Sequence, residues 1–124
     1  MLARRLHHAS FPVTDLTRAM DFYGRVLGLE PIERPALPFP GAWYRAGDCE
    51  IHLIVPFAGT DVGRPASDLN PLAVHTAFAI DDYAAVRERF VRERIEMLET
   101  GAEVGQMWVR DPDGNIIELI VAKK

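Results

Sequence analysis

The sequence predicts an α+β fold in which one strand–helix–three-strand unit is used twice, βαβββ followed by βαβββ. Three observations carry that reading. The pentapeptide IHLIV at 51–55 returns as IELIV at 117–121, with only His52 exchanged for Glu118. Aligning the two brings HHASFPVTDL (7–16) onto VHTAFAIDDY (74–83), and WYRAGDCEIHLIV (43–55) onto WVRDPDGNIIELIV (108–121), which is one residue longer. Each half then opens with a period-two run and passes at once into a stretch of helical period.

The first strand of each half has two unlike faces. His8, Ser10 and Pro12 alternate with Ala9, Phe11 and Val13; in the second half His75, Ala77 and Ala79 alternate with Thr76, Phe78 and Ile80. The histidine face carries small side chains and leaves space beside the imidazole, while the bulkier face suits packing on a helix. His7 is expected to point away from His8. The helices follow. Thr14 or Asp15 can cap a segment that runs to about Leu27, with Leu16, Ala19, Met20, Tyr23, Val26 and Leu27 on its apolar stripe and Gly28 as the stop. Asp81 or Asp82 can cap the second, with Tyr83, Val86 and Phe90 at helical spacing to about Arg94.

Three strand-like stretches follow each helix, near 29–34, 42–46 and 50–55, then near 95–99, 104–110 and 115–121. DPDGN (111–115) reads as a turn, because Pro112 pre-sets its φ and Gly114 is free to take a positive one. The expected organisation is one domain over 1–124, with modules at about 4–56 and 73–122 and a joining loop at 57–72 rich in proline and glycine. A shorter loop of that kind lies at 34–42. Both are long enough to cover a cavity mouth or to serve a dimer contact.

Bulk properties narrow the function. At 124 residues, 48% of them apolar and 26% charged, the chain can bury a real core without staples. Its 14 Lys and Arg against 18 Asp and Glu give no basic cluster, which argues against nucleic acid and anionic membrane surfaces as partners. A single cysteine, Cys49, excludes an internal disulfide framework and a cysteine-rich zinc site. The N-terminal MLARRLHHASF is too polar for a signal peptide and no apolar run approaches a membrane span, so a cytoplasmic protein is expected.

The repeat sets His8 against His75 on the first strands and His52 against Glu118 on the last strands. Three imidazoles and one carboxylate at equivalent positions form a donor set for a divalent first-row metal, and the set does not choose among Fe, Mn, Ni, Co and Zn. The apolar phrase repeats because the unit repeats; its polar residue varies because a metal accepts either donor. Trp43 and Trp108 are candidates to line a substrate cavity or to pack, and Arg45 and Arg110 to meet a substrate carboxylate or to remain solvated.

The phrases HHASFPVTDLTRAMDFYGRVLGL, GAW, EIHLIV, HTAFAIDD and DPDGNIIEL span nearly the whole chain outside the two loops. Together they resemble the vicinal oxygen chelate superfamily, which holds glyoxalase I, bleomycin-resistance proteins, fosfomycin-resistance enzymes, extradiol dioxygenases and methylmalonyl-CoA epimerase. The resemblance implies two tandem βαβββ modules whose curved mixed sheets enclose an open cup around a metal, and a homodimer. It carries the family's ligands onto His8, His75 and Glu118, and makes Glu118 the proton-moving group. The fourth ligand, Glu or Gln in many glyoxalases and epimerases, is His52 here. Glutathione-using members tend to carry an arginine four residues after the first histidine; Pro12 in that place points away from lactoylglutathione.

The implied activity is that of a glyoxalase-like lyase or isomerase, acting on a small molecule that chelates the metal through neighbouring oxygens. The alternatives are an extradiol-type dioxygenase using His8, His75 and Glu118 on Fe(II), and a non-catalytic, resistance-type binder of small molecules.

Overall fold

The computed structural model describes residues 1–122. The chain forms two compact units, one over residues 1–63 and one from Arg64 onward. The first contains β1 (His8–Pro12), α1 (Leu16–Met20) continuing as π-helical turns over Asp21–Val26, β2 (Glu30–Ile32), β3 (Gly41–Ala46) and β4 (Cys49–Ile54). The second contains β5 (His75–Ile80), α2 (Tyr83–Arg92), β6 (Met97–Gly101), β7 (Gln106–Arg110) and β8 (Ile116–Val121). Each unit is thus strand, helix and three strands, as the repeat predicts.

The sheets have the same topology, β1-β4-β3-β2 and β5-β8-β7-β6. In each, the first strand runs parallel to the last and the remaining pairs are antiparallel. The helix explains that arrangement: a parallel return needs a crossover segment, and the amphipathic helix after the first strand belongs to it. Asp15 and Asp82, one of the two expected caps in each half, start the helices by accepting from the backbone N–H of Arg18 and of Ala85, both at 3.1 Å.

The bulkier face of β1 packs inward, as its pattern requires. Phe11 and Val13 are buried, and the Phe11 ring stacks at 5.4 Å on the fully buried Tyr23. Leu53 and Ile51 of β4 stand beside Phe11 and Ala9 in the parallel register and complete this layer. The helix lies close on the sheet at Gly24, where a Cβ would come within 3.4 Å of the Tyr44 ring. In the second unit Phe90 and Tyr83 fill the same role, and the Tyr83 hydroxyl accepts from Gly101 N–H at 3.1 Å.

Two connections position the strand ends. In the DPDGN turn the buried Asp111 carboxylate accepts from the backbone N–H of Asp113 at 2.9 Å and Asn115 at 2.8 Å, and from the Asn115 side chain at 2.9 Å. Gly114 takes a φ of 90° there. The segment expected as a uniform joining loop is divided: from Arg64 it belongs to the second unit, where Leu69 is buried with Trp108 and Ile116. No helix among the described residues is long and apolar enough to cross a membrane.

The repeat also exposes a local conflict. The first helix ends at Gly28 with φ 74°, but the equivalent residue after α2 is Arg94, with φ 57°. A side chain in the left-handed region costs about 1–2 kcal/mol that glycine does not incur. Arg94→Gly is therefore expected to stabilise the protein by about 0.5–1 kcal/mol and Gly28→Ala to destabilise it by a similar amount. The urea midpoints of the two variants check both signs.

Candidate functional site

Period-two geometry decides which side chains share the open face of each sheet. Parallel pairing sets Ser10 beside His52 in the first unit and Ala77 beside Glu118 in the second, with His8 and His75 two residues earlier on the same face. His8, Ser10, His75, Ala77 and Ala79 are all exposed, so the small-residue face predicted from sequence is the uncovered one.

In the first unit His52 is clamped as one layer of a stack. The Trp43 indole, opposite it on β3, lies parallel at 4.0 Å with a 4° interplanar angle, and His8 stacks on it at 4.1 Å and 17°. The Nε2 of His52 donates to Glu50 Oε1 at 2.9 Å. His8 Nδ1 lies 2.9 Å from His7 Nδ1, one ring holding the proton and the other accepting it, which leaves His8 Nε2 uncommitted. Desolvation against the neighbouring groups, and after it the positive character of His52 and His7, holds the His8 pKa below its ordinary value. A neutral imidazole is the form that binds a metal. Glu50 is held below the ordinary carboxylate range chiefly by its hydrogen bond with His52.

In the second unit the same positions make different contacts. Glu118 is buried, and its Oε1 accepts from Trp108 Nε1 at 2.9 Å and lies 3.0 Å from His75 Nε2. Its Oε2 receives the longer contact from Gln106 Nε2 at 3.3 Å. His75 Nδ1 donates to the Ala73 carbonyl at 2.7 Å, so its Nε2 carries either the second proton of an imidazolium or the lone pair a cation would take. Trp43 and Trp108 thus occupy one repeat position with two chemistries, a ring face against an imidazole and an N–H edge against a carboxylate.

The sequence-predicted residues are distributed as follows. His8 and His52 meet in the first unit, and His75 and Glu118 meet in the second. Trp43 and Trp108 each touch the last-strand residue of their own unit. Arg45 is exposed between Glu30 and Glu50 on the flanking strands, and Arg110 is engaged by Glu96 at 3.4 Å and the Ser67 carbonyl at 3.5 Å. Neither unit by itself gathers three ligands, and no group of three or more His, Cys, Asp or Glu that could hold a metal ion occurs among the described residues.

Three further groups touch these residues. Glu50 stands two residues before His52 on the same strand face, a spacing that alone would have found it. Gln106 reaches Glu118 from the start of β7. His7 was expected to point away from His8; it precedes the first residue of β1, so strand alternation does not govern it, and its ring turns back to its neighbour.

A family model, the Glyoxalase/Bleomycin resistance protein/Dioxygenase superfamily, matches residues 5–119. The chain belongs to this superfamily. "Glyoxylase I 4" of Arabidopsis thaliana is 32% identical over 122 residues, covering 92% of this chain and 68% of that protein. Among solved structures, a glyoxalase family protein from Bacillus anthracis superposes with a TM-score of 0.75 at 26% identity, over 99% of this chain and 98% of that one. Lactoylglutathione lyase from Agrobacterium tumefaciens has a TM-score of 0.69 at 23% identity, over 98% of this chain and 96% of its own, a likeness of fold.

The buried Trp108–Glu118 contact is a hydrogen bond to a charged acceptor, a class that contributes about 1.5–3 kcal/mol. Trp108→Phe removes the donor and keeps most of the ring, so a loss of about that size is expected in urea unfolding. A loss near zero would show that Glu118 finds another donor.

Proposed function

We propose that the chain is a metal-dependent, glyoxalase-like lyase or isomerase acting on a small molecule that binds the metal through two neighbouring oxygens. His8, His52, His75 and Glu118 are its ligands to one divalent first-row cation, and Glu118 is its proton carrier. One observation carries this reading. The two units, built from unlike contacts, each set a pair of donors on the exposed face at the same strand positions, His8 with His52 and His75 with Glu118. Membership of the superfamily and the Arabidopsis relative named as a glyoxylase support it. Because each unit carries half of the set, the functional domain requires both modules.

The donor chemistry fits a metal. His8 is biased toward its neutral form, His75 has Nδ1 tied to a backbone carbonyl and Nε2 3.0 Å from Glu118 Oε1, and the Glu118 carboxyl group is oriented by an indole N–H. A mixed imidazole–carboxylate set suits Ni, Co, Zn, Mn or Fe. When bound, such an ion polarises a substrate carbonyl and favours the oxyanion that develops on it.

The remaining steps belong to the side chains. Glu118 Oε1 is fixed by Trp108, so Oε2, with its longer contact, is the oxygen that receives the proton. The C–H bond next to the carbonyl breaks, its electron pair passes to the carbonyl oxygen, and the proton rests on Oε2. It then returns to the adjacent carbon, the former carbonyl carbon, while the substrate's hydroxyl proton passes to the former carbonyl oxygen and the hydroxyl oxygen becomes the new carbonyl.

Protein purified without chelator is expected to contain nickel, zinc, cobalt or manganese, and to exchange the α-proton of a hydroxy-ketone or hemithioacetal for deuterium, followed by NMR. Glu118→Gln is expected to lower that exchange at least about 100-fold, the usual scale of a lost general base. Iron with oxygen uptake on catechols would support a dioxygenase instead, and tight ligand binding with no metal under any condition would support a resistance-type binder. A His52→Glu variant that gains glyoxalase activity would show that the fourth ligand sets the chemistry.

A further inference from the structure

We propose that Leu69 is a positioning residue of the candidate site: from the strap that precedes β5 it holds the Trp108 indole edge-on to Glu118 and keeps water from the hydrogen bond between them. Its catalytic meaning rests on the reading of Glu118 as proton carrier.

The two units differ in what covers the open face. Alternation puts Arg110, Trp108, Ile116 and Glu118 on that face of the second sheet, with Arg110 opposite Ile116 and Trp108 opposite Glu118. Residues 64–73 lie along the first of these rows. Pro65 sits over Gly114, where a Cβ would stand 3.1 Å from the proline Cγ. Arg110 Nη1 reaches the Ser67 carbonyl at 3.5 Å. Leu69 is buried with Trp108 and Ile116, and Ala66 and Ala73 pack against the same three residues. The Ala73 carbonyl then accepts from His75. In the first unit Glu50 stands where Ile116 does, and Leu6, just ahead of β1, is exposed.

The tryptophans follow that difference. Trp43 lies flat on the His52 ring, whereas Trp108 turns its Nε1 to Glu118 Oε1 at 2.9 Å. Trp108 is 9% exposed and Glu118 7%. An indole has one N–H to give, and in open solvent water competes for it and for the carboxylate. Under an apolar cover the same bond forms in a low dielectric, where it is stronger. Leu69 supplies that cover from outside the sheet. Because Trp108 engages Oε1, the residue that fixes Trp108 also decides which carboxylate oxygen is left for the proton. The competing role for Leu69 is packing alone, a leucine that closes the strap onto Ile116 with no hold on the indole.

The chain has two tryptophans, so its ¹H–¹⁵N spectrum has two indole N–H signals, assigned through Trp43→Phe. Leu69→Ala, Leu69→Met and Phe90→Leu are compared with the wild type in the full chain. The readouts are the Trp108 indole ¹H shift, the urea midpoint, and kcat and KM for α-proton exchange on hydroxyacetone and on the hemithioacetal of methylglyoxal with a small thiol. In Leu69→Ala the Trp108 signal is expected to move upfield toward that of a free indole. Its kcat is expected to fall about 10-fold or more, with little change in KM, because the carboxylate is misplaced after substrate has bound. Leu69→Met conserves the volume and should restore both. Phe90→Leu weakens the core under the helix, so it should lower the urea midpoint and move neither the shift nor kcat. A lowered urea midpoint in Leu69→Ala, with the Trp108 shift and kcat at wild-type values, would show packing alone; it would overturn this inference and leave the Glu118 reading intact. A wild type that exchanges neither probe would overturn the Glu118 reading and, with it, the catalytic meaning of this contact.

Discussion

In-register parallel pairing between the first and last strands of each unit is the constraint on which the rest depends. A strand alternates its side chains strictly, so once Phe11 lies beside Leu53, Ser10 must lie beside His52 on the opposite face. The apolar partners are buried under the helix, and a slip of one residue would expose all of them. The energy that fixes the donors on the open face therefore comes from the other side of the sheet. Phe11, Val13, Tyr23, Ile51 and Leu53 hold His8 and His52 in position without touching the chemistry.

This separation explains how one scaffold tolerates different polar residues. The two units share topology, helix caps and a tryptophan-bearing third strand, yet their open faces are unlike. One is a stack of three rings edged by a carboxylate; the other is a buried carboxylate held by an indole N–H and an imidazole. The small residues Ser10, Ala77 and Ala79 leave space for these contacts. Burial of Glu118 would be costly without donors, and Trp108 and Gln106 supply them.

Much of the fold was legible because its signals are periodic. The doubled pentapeptide, the alternation at His8–Pro12 and at His75–Ile80, and the acid before each helix named every element in order. Boundaries were less legible. The long joining segment looks uniform in composition, but Leu69 finds an apolar site against Trp108 and Ile116, a tertiary contact that local sequence does not announce. In the site, residues at repeat-equivalent positions were found and residues that break the equivalence were not. Glu50 was missed because Ile116 stands in its place, and His7 because strand alternation was extended one residue past the start of β1. Comparing two halves finds what they share and passes over what sets them apart.

We propose that the four residues His8, His52, His75 and Glu118 serve one cation. Extended X-ray absorption fine structure on protein loaded with one equivalent of Co(II) or Ni(II) tests it most directly. Four such ligands on one ion give nitrogen and oxygen neighbours at about 2.0–2.2 Å with the multiple-scattering signature of three imidazoles. A shell of oxygen alone, or the scattering of a single imidazole, would contradict it.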